Sequence, residues 1–397
     1  MKYEWQECTI GDLGQIVTGK TPPTKNNEYW GGKVMFITPK DIQASKHIFK
    51  TERYVTDEGK VAVRGAILPK GSICVSCIGN IGYLGITTEE CISNQQINSI
   101  IVNENNDIDF VYYLLKSLWA YFKNYEGQST ALSILNKTQF SKIKVQIPNI
   151  GVQKKISGVL KMLDEKIELN NAINNNLEQQ IEAILLSFIE NTNSNNVKLG
   201  DYLYIKGRIG WKGLKKDEYL EHSDFRIING ESLTKAGIDW SKAGYISQSR
   251  YDESPEIMLK NGDILLSKDG TIGKIGYIDS LSAPTTVASG IFVIRNIQSN
   301  IISTTFIYYL LKSRLFTAFI TARTEGSVIP HLYQKDFMQF EFPLPSKDEM
   351  ASFEELTAPM FSLIVSNLNE NDRLTRLRDS LLPRLMSGEL DVSDINI

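Results

Sequence analysis

Apolar positions along this chain follow two regimes, and the alternation occurs twice. Through residues 1–150, short β-branched and aliphatic runs such as Ser72-Ile73-Cys74-Val75 stand between Gly, Pro and Asn turns. That pattern predicts a β-rich globular domain with a few helices. After Pro148 the period lengthens. From Val152 to Glu190 there is no Pro, and apolar residues recur on a heptad frame. One seam carries Ile156, Leu163, Asn170, Leu177 and Ile184, the other Leu160, Ile167, Asn174, Ile181 and Phe188. A strand-rich pattern returns over 197–347, with Ile264-Leu265-Leu266 as an example. Adding 197 to the seam numbers then gives Phe353, Met360, Asn367, Leu374 and Leu381, followed by Thr357, Ile364, Asn371, Arg378 and Leu385. The second frame is less regular at Thr357 and Arg378, and Pro359 is expected to kink or delay its helix.

A helix of about 39 residues spans ~58 Å, more than one small domain needs for its own core. Two such helices are expected to pair antiparallel. The pairing is assigned to Ile156, Leu160, Leu163, Ile167, Asn170, Asn174 and Leu177 on one helix, with Met360, Ile364, Asn367, Asn371 and Leu374 on the other. Two Asn stand at matching mid-seam positions in each, where a polar residue costs stability but sets register and partner.

Landmarks in the strand-rich parts repeat as well. Gly71, Gly79, Gly82 and Gly85 return as Gly262, Gly270, Gly273 and Gly276, each 191 positions on. Tyr112-Tyr113-Leu114-Leu115-Lys116-Ser117 returns as Tyr308-Tyr309-Leu310-Leu311-Lys312-Ser313, now 196 on. Ile10-Gly11-Asp12 is echoed by Leu199-Gly200-Asp201, and Leu135, Phe140 and Pro148 by Leu332, Phe337 and Pro345. An offset that drifts through loop insertions is the mark of a duplicated domain. The predicted fold class is therefore α+β: two β-rich globular domains joined by two long antiparallel coiled-coil helices, with a pseudo-two-fold internal repeat. Its parts are 1–150, a central helical region 151–196, 197–347, and a C-terminal helical region 348–397.

Composition narrows the function. At 397 residues, 42% hydrophobic and 22% charged, the chain is long enough for two to three folded domains and is not mostly disordered. No apolar run approaches ~18 residues, so no membrane span is expected. The polar start Met1-Lys2-Tyr3-Glu4-Trp5 does not read as a signal peptide. Four Cys give no disulfide framework, which fits a reducing cytoplasm. The net charge of −3 argues against a polyanionic partner only until it is divided. Residues 1–150 carry +2 and 197–347 carry +3, whereas 151–196 carry −2 and 348–397 carry −6. The globular parts are slightly basic and the helical parts acidic. Phosphates respond to local clusters rather than to the total. Lys206, Arg208, Lys212, Lys215 and Lys216 form one, with Trp211 among them. Lys20 and Lys25 stand at the corresponding place in the first copy.

Several motifs fail on chemistry. Gly14-Gln15-Ile16-Val17-Thr18-Gly19-Lys20-Thr21 fits the phosphate-cradling pattern, but that loop must open a helix, and Pro22-Pro23 favours extended chain. The second copy loses the pattern at Lys206-Gly207-Arg208-Ile209-Gly210. Cys74-Val75-Ser76-Cys77 lacks a second CxxC, so two strand thiols are expected rather than zinc. Gly79-Asn80-Ile81-Gly82 and Gly270-Thr271-Ile272-Gly273 read as tight turns whose tips could approach a ligand backbone. No catalytic triad, metalloprotease, methyltransferase or nuclease motif is found, so no catalysis and no cofactor is expected.

The ordered set of motifs resembles the specificity subunit of bacterial Type I restriction-modification enzymes over essentially the whole chain. The set includes Thr18-Gly19-Lys20-Thr21-Pro22, Val145-Gln146-Ile147-Pro148, Gln153-Lys154-Lys155-Ile156 and Leu163-Asp164-Glu165-Lys166-Ile167. It closes with Leu381-Leu382-Pro383-Arg384-Leu385 and Ser387-Gly388-Glu389-Leu390. The resemblance implies two target-recognition domains and two conserved helical regions. Its partners would be double-stranded DNA, two methyltransferase (modification) subunits and two restriction-translocase subunits. The target would be bipartite and asymmetric, with the helices setting half-site separation near one duplex turn, ~34 Å. Base edges would be read from loops and phosphates held by cations. The candidate DNA contacts are Lys20, Thr21, Lys25 and Asn26 in the first domain, and Lys206, Arg208, Trp211, Lys212 and Lys215 in the second. The competing reading is a protein-binding scaffold without DNA recognition.

Overall fold

The computed structural model describes residues 3–42, 45–127, 133–192, 194–208, 213–234, 237–324, 331–393 and 395. The chain divides into two units, Met1–Asn171 with Leu368–Ile397, and Ala172–Asn367. Each unit therefore holds one globular part, a stretch of the first long helix and a stretch of the second.

In the first unit the strands are β1 (Gln6–Thr9), β2 (Gly14–Thr18), β3 (Trp30–Ile37), β4 (His47–Ile48), β5 (Arg53–Val55), β6 (Ile67–Leu68), β7 (Ile73–Ser76), β8 (Leu84–Thr87), β9 (Cys91–Ser93), β10 (Ile97–Val102) and β11 (Lys144–Ile147). The central sheet runs β2-β10-β7-β8-β4, with Ile100 opposite Ile16 and Ser99 opposite Cys74. A second sheet runs β5-β3-β9-β6, and β1 pairs β11. Helices α1 (Asp57–Ala62), α2 (Ile108–Ser117), α3 (Trp119–Gly127) and α4 (Lys137–Ser141) precede the long helix α5 (Ile150–Asn191). α2 starts where the Asp107 carboxylate accepts from the Phe110 amide at 2.9 Å, satisfying an otherwise orphaned donor.

The second unit repeats this plan. Its central sheet takes β12 (Leu203–Gly207), β13 (Ile291–Asn296), β14 (Ile264–Ser267) and β15 (Ile275–Tyr277) in that order, with all neighbours antiparallel, as in β2-β10-β7-β8. Phe225–Ile228 lies parallel to Thr285–Val287, as β3 does to β9. The helix over Thr304–Lys312 is capped by the Ser303 hydroxyl, accepting from the Phe306 amide at 3.0 Å. It corresponds to α2. The second long helix, α6 here, spans Lys347–Met386.

Each unit has its own core. Phe110, Tyr113, Phe122 and Phe140 pack with Ile156, Leu160, Leu382 and Leu385 in the first. Phe306, Phe316, Phe337 and Phe353 pack with Ile181, Leu185 and Ile364 in the second. Each such side chain removed from water contributes roughly 1.5–3 kcal/mol. The helix stretches thus close the cores of the domains that they flank.

Within the first unit, α5 meets α6 through Asp164 with Arg378 at 2.7 Å, Lys166 with Glu370 at 3.2 Å and Asn170 with Asn371 at 2.9 Å. Within the second unit the contacts are Asn174 with Asn367 at 2.8 Å and Phe188 with Phe353 edge to face. From Asp164–Arg378 to Asn170–Asn371, and from Asn174–Asn367 to Phe188–Phe353, numbers rise on one helix as they fall on the other, so the stretches run antiparallel in each unit. Of the pairing residues, Ile156, Leu160, Asn170, Asn174, Ile364 and Asn367 are buried. Leu163, Ile167, Leu177, Met360, Asn371 and Leu374 are half-buried.

Pro359 does not delay or interrupt α6. It sits exposed, and the carbonyl that its missing N–H leaves unserved belongs to exposed Glu355, where water can take the bond. The two irregular seam positions also have uses. The fully buried Thr357 returns its hydroxyl to the Phe353 carbonyl at 2.8 Å, and Arg378 pairs with Asp164.

Candidate nucleic-acid interface

β2 ends at Thr18, and the chain leaves the sheet without starting a helix. The phosphate-loop geometry is therefore missing, because no helix N-terminus follows Lys20 and Thr21. The loop is instead tied down. The Gly19 amide donates to the Ile97 carbonyl at 3.0 Å, and a Cβ at Gly19 would lie 2.1 Å from the Asn94 carbonyl oxygen, so only glycine fits. Thr21 donates its hydroxyl to Gln95 Oε1 at 2.7 Å. Asn26 Oδ1 accepts from the Glu28 amide at 3.1 Å, and Trp30 Nε1 reaches the Pro23 carbonyl at 3.4 Å. Thr21 and Asn26 thus shape the loop, while Lys20 and Lys25 project from it, exposed and without a carboxylate partner among the described residues.

The β7–β8 turn lies at the same end of the sheet. Gly79 and Gly82 take positive φ of 75° and 95°, as Gly270 and Gly273 do at 65° and 90°. In one copy Ser76 Oγ donates to the Asn80 carbonyl at 2.6 Å, and in the other Ser267 Oγ donates to Thr271 at 2.7 Å. An isolated bridge of Ile78 with Ile134 joins a third segment to the first turn, and Asp269 with His331 does so in the second.

In the second unit Lys206 is exposed at the end of β12, with Gly207 lying against the Lys268 side chain. Lys215 and Lys216 are exposed beyond it. Arg208 departs from expectation. It is 2% exposed, donates Nε to the Val287 carbonyl at 3.1 Å and Nη1 to Ser254 Oγ at 3.4 Å. Burial, reinforced by nearby Arg250, pushes its pKa below the usual guanidinium range. Arg208 is a buried brace under the loop, not a cation offered to a phosphate. Trp211 and Lys212 lie outside the described residues.

The same surface contains residues that linear reading passed over. His331 Nδ1 contacts Asp269, the His331 ring meets Tyr333 edge to face at 4.4 Å, and Tyr333 is 56% exposed. Lys335 stands over the Tyr333 ring at 5.7 Å, and Lys268 lies 3.8 Å from Asp269. The signal in sequence was the offset of 197, which maps His331 and Tyr333 onto Ile134 and Asn136 beside the first turn. The CxxC thiols are buried on and beside β7. Burial pushes Cys74 up to about 12 and Cys77 to about 11, which disfavours the thiolates that zinc needs. Among the described residues no group of His, Cys, Asp and Glu is placed to hold a metal.

Two copies of one domain mixing helices with largely antiparallel sheets, each presenting a closed turn and exposed lysines at one end of a sheet and closed by long helices, define a duplicated recognition protein. The chain belongs to the family described as the Type I restriction modification DNA specificity domain, whose model matches it twice, at residues 2–179 and 191–358. It is a specificity subunit of a Type I restriction-modification system, and recognition of a DNA target is the function of that family. It is similar to the MjaIX specificity subunit of Methanocaldococcus jannaschii, 26% identical over 99% of this chain and 95% of that protein. It is 35% identical to the HindI specificity subunit of Haemophilus influenzae over 46% of this chain and 40% of that one. The crystal structure of a Type I restriction-modification S subunit from M. genitalium shares the fold, with a TM-score of 0.57 at 20% identity, covering 97% and 96% of the two chains.

Proposed function

We propose that this chain reads a two-part, asymmetric duplex target with the sheet-end loops of its two domains and catalyses no reaction itself. The observation that carries the reading is the recurrence in both copies of one sheet-end turn, closed by Ser76 in one and Ser267 in the other, together with exposed lysines, Lys20 and Lys25 in one and Lys206 and Lys215 in the other. Fixed loops position base-reading groups at low entropic cost, and unpaired cations supply the phosphate term. Unlike loop sequences in the two copies mean unlike half-sites.

The helices are read as a coiled coil that also docks the partners, two methyltransferase subunits and two restriction-translocase subunits. Met162, Leu169 and Leu377 in the first unit, and Leu356 and Leu363 in the second, are exposed on them. Met162 and Leu169, and Leu356 and Leu363, stand seven apart and so on one helix face each, and contiguous exposed apolar surface marks partner-binding sites.

The test expresses the chain with its methyltransferase subunit and maps methylated adenines genome-wide. One two-part motif should emerge, and the complex should bind duplexes carrying it in preference to others, with affinity falling steeply as salt rises. Uniform affinity for all duplexes would favour the scaffold reading.

A further inference from the structure

The first unit contains a cavity of about 740 Å³ that the loop surface does not use. Its walls combine Tyr83 and Trp119, set edge to face at 5.4 Å, with the apolar side chains of Leu84, Ile167 and Leu382. Lys116 supplies the ammonium at its wall. The other charged groups lining it have partners. Lys46 lies 2.7 Å from Asp109, Glu168 is 3.3 Å from His47 Nδ1, and Arg378 binds both Asp164 and Asp379. Lys116 has no hydrogen bond and no ion pair with any described residue. Beyond hydrogen-bond reach it has a distant cation–π approach to Tyr112 at 5.9 Å and the field of the Asp164 carboxylate, whose oxygens are already taken by Tyr113 and Arg378.

The internal repeat shows that the missing partner is particular to this copy. Lys312 stands at the position of Lys116 and forms an ion pair with Glu178 of α5. The helix offset of 197 maps Glu178 onto Thr375 of α6, which carries no charge. The same offset maps Asp164 onto Phe361, whose ring packs against Tyr277, Tyr308 and Tyr309. One copy puts an aromatic ring and an ion-paired carboxylate where the other has Asp164, engaged by Tyr113 and Arg378, and the uncharged Thr375, so that Lys116 lacks an ion pair of its own.

We propose that this cavity is a binding site for a small organic anion with a flat aromatic body, its acid group answering Lys116 and its ring lying against Tyr83 and Trp119. The volume suits one ligand of roughly drug size, and apolar walls with a few polar groups are what such sites share. Burial and the nearby Arg378 guanidinium already press Lys116 toward its neutral form, so an incoming anion relieves a cost that the empty site carries.

The probes are 8-anilinonaphthalene-1-sulfonate, an aromatic anion, and its neutral relative N-phenyl-1-naphthylamine, titrated into the full chain by fluorescence. The anion should saturate one site and raise the melting temperature. Lys116→Met, which keeps the apolar stem, should weaken the anion by about tenfold, the order expected for one charge-assisted contact, and the neutral probe by less than about twofold. Lys116→Arg should restore most of the binding. Ala120→Trp, at an exposed wall position, should weaken both probes. Lys116→Met should melt no lower than the parent chain, since it removes a desolvated charge. Equal affinity of the parent and Lys116→Met for the sulfonate, or the lack of a saturable site that Ala120→Trp diminishes, would overturn the proposal.

Discussion

The buried polar chain of the first unit gives the sharpest stability prediction. Lys46 Nζ donates to the Tyr113 hydroxyl at 3.2 Å, which donates to Asp164 Oδ2 at 2.6 Å, and Arg378 Nη1 donates to Asp164 Oδ1 at 2.7 Å. Asp164 is 6% exposed. Asp164→Asn keeps the shape and removes the charge. Breaking a buried pair from one side typically costs about 3–5 kcal/mol, because the other charge stays buried. Arg378 keeps Asp379 at 2.8 Å, and the amide retains neutral bonds, so the loss should sit at the low end, about 3 kcal/mol. For a unit of roughly 200 residues that is a fall of about 6–12 °C in its transition. The pH dependence has a definite sign. Burial works to raise the Asp164 pKa, but Lys116, the Tyr113 hydroxyl and Arg378 together outweigh it and hold the carboxyl below its ordinary value. A depressed carboxyl contributes fully above its unfolded pKa and loses that contribution as pH falls through the folded one. The gap between parent and variant should therefore be full at pH ~7 and shrink below about pH 4. Calorimetry, with hydrogen exchange of first-unit peptides to assign the transition, reads both. A change under about 1 °C at neutral pH, or a gap that persists undiminished into acid, would refute the reasoning. The second copy places Phe361 and Ile181 where the first has Asp164 and Arg378. Asp164→Phe with Arg378→Ile should accordingly recover at least half of the single-variant loss.

Other outcomes follow from the same contacts. Lys20→Ala with Lys25→Ala should leave the melting temperature within about 1 °C, weaken DNA binding of the complex and lower the salt slope by about two, since each phosphate contact adds ~0.9 to it. Arg208→Ala should act on folding first, costing about 2–4 kcal/mol through unpaired buried carbonyl and hydroxyl groups, read as a fall in the second unit's transition. Asn174→Leu alone strands the Asn367 amide and should cost about 1–3 kcal/mol, whereas Asn174→Leu with Asn367→Leu should be near neutral or stabilising, a non-additivity that a double-mutant cycle measures. Thiol labelling of the native chain should modify half-buried Cys8 well before Cys74, Cys77 and Cys91, whose thiols burial holds protonated; equal rates for all four would contradict the strand placement.

The duplication and both long helices were legible because they rest on periodicity and order, which a linear string carries. The loops at the sheet ends were legible in part. Gly and Pro mark where a chain turns, and a lysine in such a loop is usually solvated. What the string did not carry is the fate of a side chain decided by strands distant from it. Arg208 reads as one more cation in a basic run, yet Val287 and Ser254, far along the chain, enclose it. The His331 and Asp269 contact joins residues 62 apart through a bridge that no local pattern announces. Pro359 reads as delaying the helix because propensity assumes that the lost bond must be made within it; on an exposed face the Glu355 carbonyl is open to water instead.

The offsets that reveal the duplication also show where the two copies have diverged physically. Reading unlike half-sites requires unlike loops, and the loops do differ: Thr21 meets Gln95 in one copy, while Gly207 lies against Lys268 in the other. It does not require unlike packing against the helices. Yet there the copies differ most in kind. Phe361 stands among Tyr277, Tyr308 and Tyr309 where Asp164 binds Tyr113 and Arg378, and Glu178 pairs with Lys312 where Thr375 gives Lys116 no ion pair. An apolar filling is ordinarily the more stable solution at a position already removed from water. The polar arrangement of the first unit is not required by target reading, and an occupant of the cavity, as proposed above, accounts for all three differences together: Asp164 for Phe361, Arg378 for Ile181 and Thr375 for Glu178.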